Sequence, residues 1–401
     1  MVDISARQRL QLLAGGAALA LTGCGGGDAA IPEPIIMAPE ASPPPVPTPP
    51  PAPVGSLSEG MLRNTFRNNF SIGTSLTANE INANNLSARI AREQFNSITP
   101  EYELKADQLT SSEGEYNFDA ADRVVDWALE NGMSVRGHAL VWHEATPAYF
   151  LEGSRNDIRE RLEEHVTTVV SHFRGRIGVW DVVNEVTSVD IFNGANGVGP
   201  DRRSGWFNAV GNADYIDWAF IAARAADPNA LLFLSDYETE NAFKMAWTMD
   251  IVRRLLARGI PIDGVGQQFH LNLSTDPAAV MTAIDTVENE FAGLINHVTE
   301  LDVSFYQDPG SCWQSGVNCL PDIGPNAPED MLATQAQIMR DIFTGLALRS
   351  SVESVSVWGV RDGDSWLNFV PAERYNHPLL FDRDGEPKSA LLAIIDPAYQ
   401  I

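Results

Sequence analysis

From about residue 56 onward, short apolar runs alternate with longer amphipathic stretches. The runs are FSIGTSL (70–76), FNSITP (95–100), SVRGHALVW (134–142), VWDVVNE (179–185), LLFLSDY (231–237), GVGQQFH (264–270), HVTELDV (297–303) and SVSVWGV (354–360). Each is bounded by turn residues and rich in β-branched or aromatic side chains, which predicts a buried strand. The segments between them carry helical periodicity. ADRVVDWALENG ends in Asn-Gly, a helix stop. NDIRERLEEHVTTVVSHF keeps Ile158, Leu162, His165, Val166 and Val169 on one face, and YIDWAFIAARAAD leads to Pro228, which cannot continue a helix.

Eight strand candidates alternating with helices predict a (β/α)8 TIM barrel, a single domain over residues 56–401. The competing architecture is a doubly wound open sheet. That fold usually brings a Gly-rich phosphate or dinucleotide loop, and no GxGxxG or P-loop follows any of the runs.

Ahead of the barrel the pattern changes. Arg7 and Arg9 precede an apolar run from Leu10 to Leu21, too short to span a bilayer but suited to the h-region of a signal peptide. It ends in Leu21-Thr22-Gly23-Cys24, which resembles a bacterial lipobox. Residues 1–24 are therefore expected to be a lipoprotein signal peptide, with Cys24 acylated as the first residue of the mature chain. Residues 25–55 hold a Gly run and then EPIIMAPEASPPPVPTPPPAPVG, a density of proline that forms extended polyproline II and no core, so a spacer is expected. The implied location is the bacterial cell envelope, lipid-anchored at the outer membrane or cell surface, or the secreted fraction.

With 53 acidic against 27 basic side chains, the formal net charge is -26. A polyanion gains nothing from nucleic acid or from anionic membranes, so the lipid anchor is the one membrane contact expected. A neutral or lightly charged substrate fits better. Of the three cysteines, Cys312 and Cys319 stand in the loop-like stretch DPGSCWQSGVNCLPDIGP and read as a local disulfide, with free thiols as the alternative. No His or further Cys lies nearby in sequence, so no metal is expected there.

Residues at the C-terminal ends of barrel strands face the active site. The fourth run ends in Asn184-Glu185 and the sixth in Gln268-Phe269-His270; the seventh carries Glu300 and Asp302, and the third His138, Trp142 and His143. Glycoside cleavage asks for such a set. An acid must protonate the leaving oxygen, and a second carboxylate must stabilise or attack the oxocarbenium-like centre. Glu185 and Glu300, on strands four and seven, sit nearly across the ring from one another. A carboxylate separation of about 5–5.5 Å would imply retention through a covalent glycosyl-enzyme. Singly, each residue has a plainer explanation: Asn-Glu dipeptides are common, a lone His270 is more often structural, and Trp142 or Trp358 more often core. Their joint placement carries the signal.

At these residues the sequence resembles glycoside hydrolase family 10, the endo-β-1,4-xylanases, from about Phe70 to the end. ITPEYELK (98–105) is similar to the family's ITPENEMK, and VRGHALVWH (135–143), WDVVNE (180–185), IDGVGQQFH (262–270), TELDV (299–303), VWGVRDGDSW (357–366) and PLLFDRDGEPK (378–388) follow in family order. The resemblance implies Glu185 as acid/base and Glu300 as nucleophile of a retaining mechanism. It implies Asn184 on the 2-hydroxyl of the cleaved sugar, His270 orienting the nucleophile, and Asp302 behind that imidazole. Lys105, His138 and Gln268 would line the same sugar, Trp142, Trp358 and Trp366 would wall it, and Glu101 would reach the next sugar on the non-reducing side. No cofactor or metal is needed by such chemistry, xylan or xylo-oligosaccharide is the implied partner, and a monomer is expected.

Two positions depart from the family pattern: Tyr102 stands where the family has Asn, and Ala145 where it has Gln. Both family residues contact the sugar one unit beyond the cleaved one. The alternatives this leaves are a related β-glycanase, an enzyme for short oligosaccharides or aryl glycosides, or, in another class, a non-catalytic xylan-binding lipoprotein.

Overall fold

A computed structural model of the chain describes residues 61–82, 85–188 and 199–401. The expectations for residues 1–24 and 25–55, Cys24 included, lie outside the described residues. Eight parallel strands close into a ring: β1 (Ser71–Leu76), β2 (Ser97–Pro100), β3 (Ser134–Trp142), β4 (Val179–Asn184), β5 (Leu231–Asp236), β6 (Gly264–Gln267), β7 (Ile295–Ser304) and β8 (Val352–Val357). Each strand pairs with the next, and β8 returns to β1 with Ser354 opposite Ser71 and Val357 opposite Thr74. This is the (β/α)8 barrel that the alternation predicts.

Parallel neighbours need a crossover, and here each strand is followed by a helix. These are α1 (Leu86–Gln94), α2 (Asp119–Glu130), α3 (Arg155–His172), α4 (Asp214–Ala226), α5 (Ala242–Ala257), α6 (Pro277–Glu290), α7 (Glu329–Leu346) and α8 (Ser389–Ile395). Their starts follow local chemistry. Ser154 accepts the Asp157 N–H while the Asp157 carboxylate accepts the Ser154 N–H, a reciprocal cap that opens α3. Ile158, Leu162, His165, Val166 and Val169 of α3 are all buried, so the expected face is the one that packs on the sheet. The expected stop of α2 is also found: Asn131 caps it and Gly132 takes φ 72°.

Two of the hydrophobic runs are broken near their ends by a residue in left-handed conformation. Glu185 takes φ 58° and Phe269 φ 55°, left-handed values that break an extended chain. After the break at Phe269, a short segment His270–Asn272 resumes pairing with β7, with His270 opposite Asp302.

The barrel interior is not wholly apolar. Arg136 of β3 forms a buried bidentate pair with Asp181 of β4, Nε standing 3.0 Å from Oδ2. Its other amino group lies 2.7 Å from His297 Nδ1 of β7, and its guanidinium covers the Phe233 ring of β5 at 4.8 Å. Burial alone would raise the Asp181 carboxyl, but Arg136 and His138 outweigh it and hold it at about 2. Burial and the neighbouring Arg136 push the His297 imidazole well below its ordinary value, so it is neutral and accepts from the guanidinium. On the outer face of the sheet, Gly137 lies beside the buried Trp180, whose ring takes the space of any added Cβ.

Candidate active site

Glu185 is the first residue past β4. Its backbone N–H donates to Ser235 O of β5 at 2.8 Å, which fixes the left-handed kink. The carboxylate then lies among side chains from three strand ends. Asn184 Nδ2 and Gln268 Nε2 stand 3.4 and 3.5 Å from Oε1, and His143 Nδ1 stands 4.0 Å from Oε2. Gln268 also donates to Asn184 Oδ1 at 3.0 Å. That bond fixes which way the Asn184 amide faces: its oxygen is taken, and its NH2 is turned toward Glu185.

Glu300 sits inside β7 and is 5 % exposed. His270 Nε2 approaches its Oε2 at 3.3 Å, and His270 Nδ1 lies 2.9 Å from Asp302 Oδ2. Asp302 Oδ2 also accepts the Trp366 indole N–H at 3.0 Å. Burial alone would lower the His270 pKa, but Asp302 and Glu300 outweigh it and raise the imidazole to about 10. The ring is therefore an imidazolium at neutral pH and donates to both carboxylates. Oε1 of Glu300 is different: it is buried and has no hydrogen-bond partner among the described residues, with His138 Nδ1 at 3.9 Å. His138 in turn is held by Asp181 Oδ2 at 3.1 Å, which ties the site to the charged layer beneath it.

The walls come from β2, β3 and β8. Trp358 meets His138 edge-on at 5.3 Å, and Trp366 meets His270 edge-on at 5.0 Å. Lys105 is buried with its ammonium over two rings, 4.9 Å from Tyr102 and 4.6 Å from Trp142. Burial lowers its pKa, opposed by Glu101, Glu300 and Glu185, so this one cation faces both central carboxylates. Glu101 follows β2 and donates its backbone N–H to Leu76 O; burial raises its carboxyl, and the Tyr102 hydroxyl donates to it. Ala145 is buried and its carbonyl accepts the Asp107 N–H at 3.2 Å, so it offers nothing polar from its side chain. The residues expected from the strand ends are thus brought together, with Tyr102 packed against Lys105. Cys312 and Cys319 form a disulfide in the connection after β7. Asp308 lies near both sulfurs, but these are joined to each other and its carboxylate is taken by Arg374, so the trio is no ligand set.

Three further polar residues belong to the site, two of them in loops away from the strand ends. Arg202, in the connection before α4, donates to the Tyr237 hydroxyl at 2.8 Å and faces His143 Nε2 at 3.4 Å, which sets a buried cation behind Glu185. Tyr237 follows β5. Glu240, in the same connection, is pushed up to about 7 by burial and by Glu238, with His270 and Lys244 opposing. Arg202 and Glu240 stand in loops where neither apolar alternation nor a strand end marks them; Tyr237 closes its run, and that position is the signal that points to it.

The chain is 35 % identical to an endo-1,4-beta-xylanase A of a Caldicellulosiruptor species over 86 % of its own length and 49 % of that relative's. It is 35 % identical to a beta-1,4-xylanase of Dictyoglomus thermophilum, covering 83 % of this chain and 90 % of the other. Among solved structures, xylanase B from Clostridium stercorarium F9 superposes with a TM-score of 0.77 at 33 % identity, covering 85 % of this chain and 100 % of that one. The model of glycosyl hydrolase family 10 matches residues 61–397, a span that contains every strand and helix of the barrel and every residue of the site, and the chain belongs to that family.

Proposed function

We propose that the chain is a retaining endo-β-1,4-xylanase in which Glu185 is the acid/base and Glu300 the nucleophile. The observation that carries the roles is the asymmetry of Glu300: Oε2 is bound by the His270 imidazolium, while the buried Oε1 has no hydrogen-bond partner among the described residues. One oxygen is held for orientation and the other is left with its lone pairs for attack. Support for xylan comes from the names of the relatives and from the aromatic walls Trp142, Trp358 and Trp366, whose rings suit the C–H faces of a pyranose.

In the first step Glu185 passes its proton to the glycosidic oxygen as Glu300 Oε1 bonds to the anomeric carbon and the leaving chain departs as an alcohol. Asn184, its amide oriented by Gln268, is placed to bond the 2-hydroxyl, an interaction that strengthens in the transition state. In the second step the Glu185 carboxylate takes a proton from water, the oxygen attacks the anomeric carbon, and Glu300 leaves. His270, itself held by Asp302, keeps Oε2 in place.

The test is hydrolysis of glucuronoxylan, arabinoxylan, mixed-linkage glucan and carboxymethylcellulose, with the product anomer read by NMR. Short xylo-oligosaccharides of initial β-configuration support the reading, and initial α-product removes it. Loss of turnover in Glu300→Ala distinguishes an enzyme from a xylan-binding protein. A second reading keeps the chemistry and shifts the substrate to shorter oligosaccharides, aryl glycosides or another β-glycan. What favours it is Tyr102 packed on Lys105 with Ala145 buried, where the family pattern has two amides. We also propose a lipid-anchored monomer in the cell envelope, acylated on Cys24. Metabolic labelling with a radioactive fatty acid, lost in Cys24→Ala, tests the anchor.

A further inference from the structure

His143, the first residue past β3, is caught between a donor and an acceptor on one side and Glu185 on the other. Its Nε2 stands 3.4 Å from Arg202 Nη1 and 3.2 Å from the Glu144 carboxylate. Its Nδ1 is buried and has no hydrogen-bond partner among the described residues, with Glu185 Oε2 at 4.0 Å. Buried polar atoms are nearly always bonded, and bonds to catalytic groups often tighten only when substrate is in place. The Nδ1 atom of His143 therefore belongs to Glu185.

A neutral imidazole carries one proton, and the partner of one nitrogen decides the state of the other. A guanidinium only donates, so a ring that turns to Arg202 has a bare Nε2 and its proton on Nδ1. A carboxylate only accepts, so a ring that turns to Glu144 has its proton on Nε2 and a bare Nδ1. Both neighbours are in reach of the same nitrogen. Arg202 is 7 % exposed and anchored by its bond to the Tyr237 hydroxyl, while the Glu144 side chain is 24 % exposed. The donor is thus fixed in the protein and the acceptor stands partly in water.

We propose that Glu144 and Arg202 make His143 a two-way partner of Glu185, able to accept from its carboxylic acid and to donate to its carboxylate. Glu185 needs both in turn: it begins the first step as an acid and begins the second as a base. With Nε2–H on Glu144, the bare Nδ1 accepts the acid proton and holds it ready. With Nε2 accepting from Arg202, Nδ1–H donates to the carboxylate that remains. The exchange consumes nothing, since Nε2 loses a proton to water by way of Glu144 and Nδ1 gains one from water. The other titratable groups around Glu185 are Lys105, Tyr237 and Glu300, and of these only Glu300 changes, losing its charge when glycosylated. His143, Glu144 and Arg202 act through Glu185 and are positioning residues. The inference rests on the glycosidase reading given above.

The test reads the His143 tautomer from the nitrogen NMR shifts of histidine-labelled protein, with His143→Gln to assign the signal. The free enzyme, at a pH below the alkaline fall of its activity, is compared with the glycosyl-enzyme trapped by a dinitrophenyl 2-fluoro-xylobioside. The proton is expected on Nε2 in the free enzyme and on Nδ1 in the trapped one; in Glu144→Ala it is expected on Nδ1 in both. That variant should also lose about tenfold in kcat/KM on xylohexaose, whose leaving alcohol needs the acid. On dinitrophenyl β-xylobioside, whose leaving group needs none, it should lose less than about twofold. Glu144→Gln keeps an acceptor oxygen without the charge and should recover most of the loss. One tautomer in both wild-type states, or an imidazolium in both, overturns the proposal, as does an equal loss on the two substrates. A wild type trapped by the cellobiosyl reagent but not the xylobiosyl one removes xylan alone, and the same comparison is then made with the cellobiosyl series. A wild type that is trapped by neither and cleaves neither series removes the glycosidase reading and this inference together.

Discussion

His270 meets Glu300 through Nε2 at 3.3 Å while its other nitrogen is held by Asp302 at 2.9 Å, so a single cation is shared between two buried carboxylates. Replacing it with Asn removes a charged hydrogen bond from Glu300, the proposed nucleophile. Such bonds contribute about 1.5–3 kcal/mol, so kcat of His270→Asn should fall about 10- to 100-fold, measured on xylan and on an aryl xyloside. The raised pKa also has a stability sign. A histidine held near 10 against an unfolded value near 6.5 adds stability that is fully present below the unfolded value and is lost as pH rises through about 10. The stability gap between wild type and variant, from urea unfolding, should shrink steadily from pH 6 to pH 10.

The Arg136–Asp181 pair below the site behaves in the opposite sense. Asp181 is held at about 2, below the unfolded carboxyl, so its contribution is present above about pH 4 and is lost as pH falls through about 2. Asp181→Asn leaves Arg136 buried without its counter-charge. That should destabilise the barrel by about 3–5 kcal/mol at pH 7. The variant should lose less further stability between pH 4 and pH 2 than the wild type does, in denaturant titrations at each pH.

Tyr102→Asn combined with Ala145→Gln restores the two amides of the family pattern, which the proposed function sets on the non-reducing side, and takes a ring off Lys105. Each new hydrogen bond is worth about 0.5–1.5 kcal/mol. Binding of unsubstituted xylotriose, measured by calorimetry on a Glu300→Ala background, should tighten several-fold. Unchanged affinity in the double variant would show that these two positions do not set the preference.

Gly137→Ala tests the barrel wall. The added methyl meets the Trp180 ring, which is fully buried and packs near Phe173 at 6.2 Å. Overpacking of this kind costs about 1–3 kcal/mol. A lower thermal midpoint with unchanged KM is the expected result.

The strands were legible because each is short, apolar and bounded by turns, a pattern that a ring buried on both faces demands. Their ends were less so. VWDVVNE and GVGQQFH read as unbroken, yet Glu185 and Phe269 turn left-handed within them, because the hydrogen bonds that settle this come from neighbouring strands. The carboxylates, His270 and the tryptophans stood out by falling at one end of successive runs. Arg136, Asp181 and His297 did not, since their meeting depends on how three distant segments register inside the ring. Arg202 and Glu240 were hidden for the same reason, in connections whose sequence carries no periodicity.

Neither central carboxylate rides on a segment able to open by itself. Glu300 lies within β7, and Glu185 is clasped to β5 through its own backbone. Regions that open independently have few buried contacts and exposed hydrogen bonds, and these strand ends have the reverse. Heat inactivation and melting of the barrel should therefore be one event, so that the activity left after warming counts the molecules whose barrels are still closed.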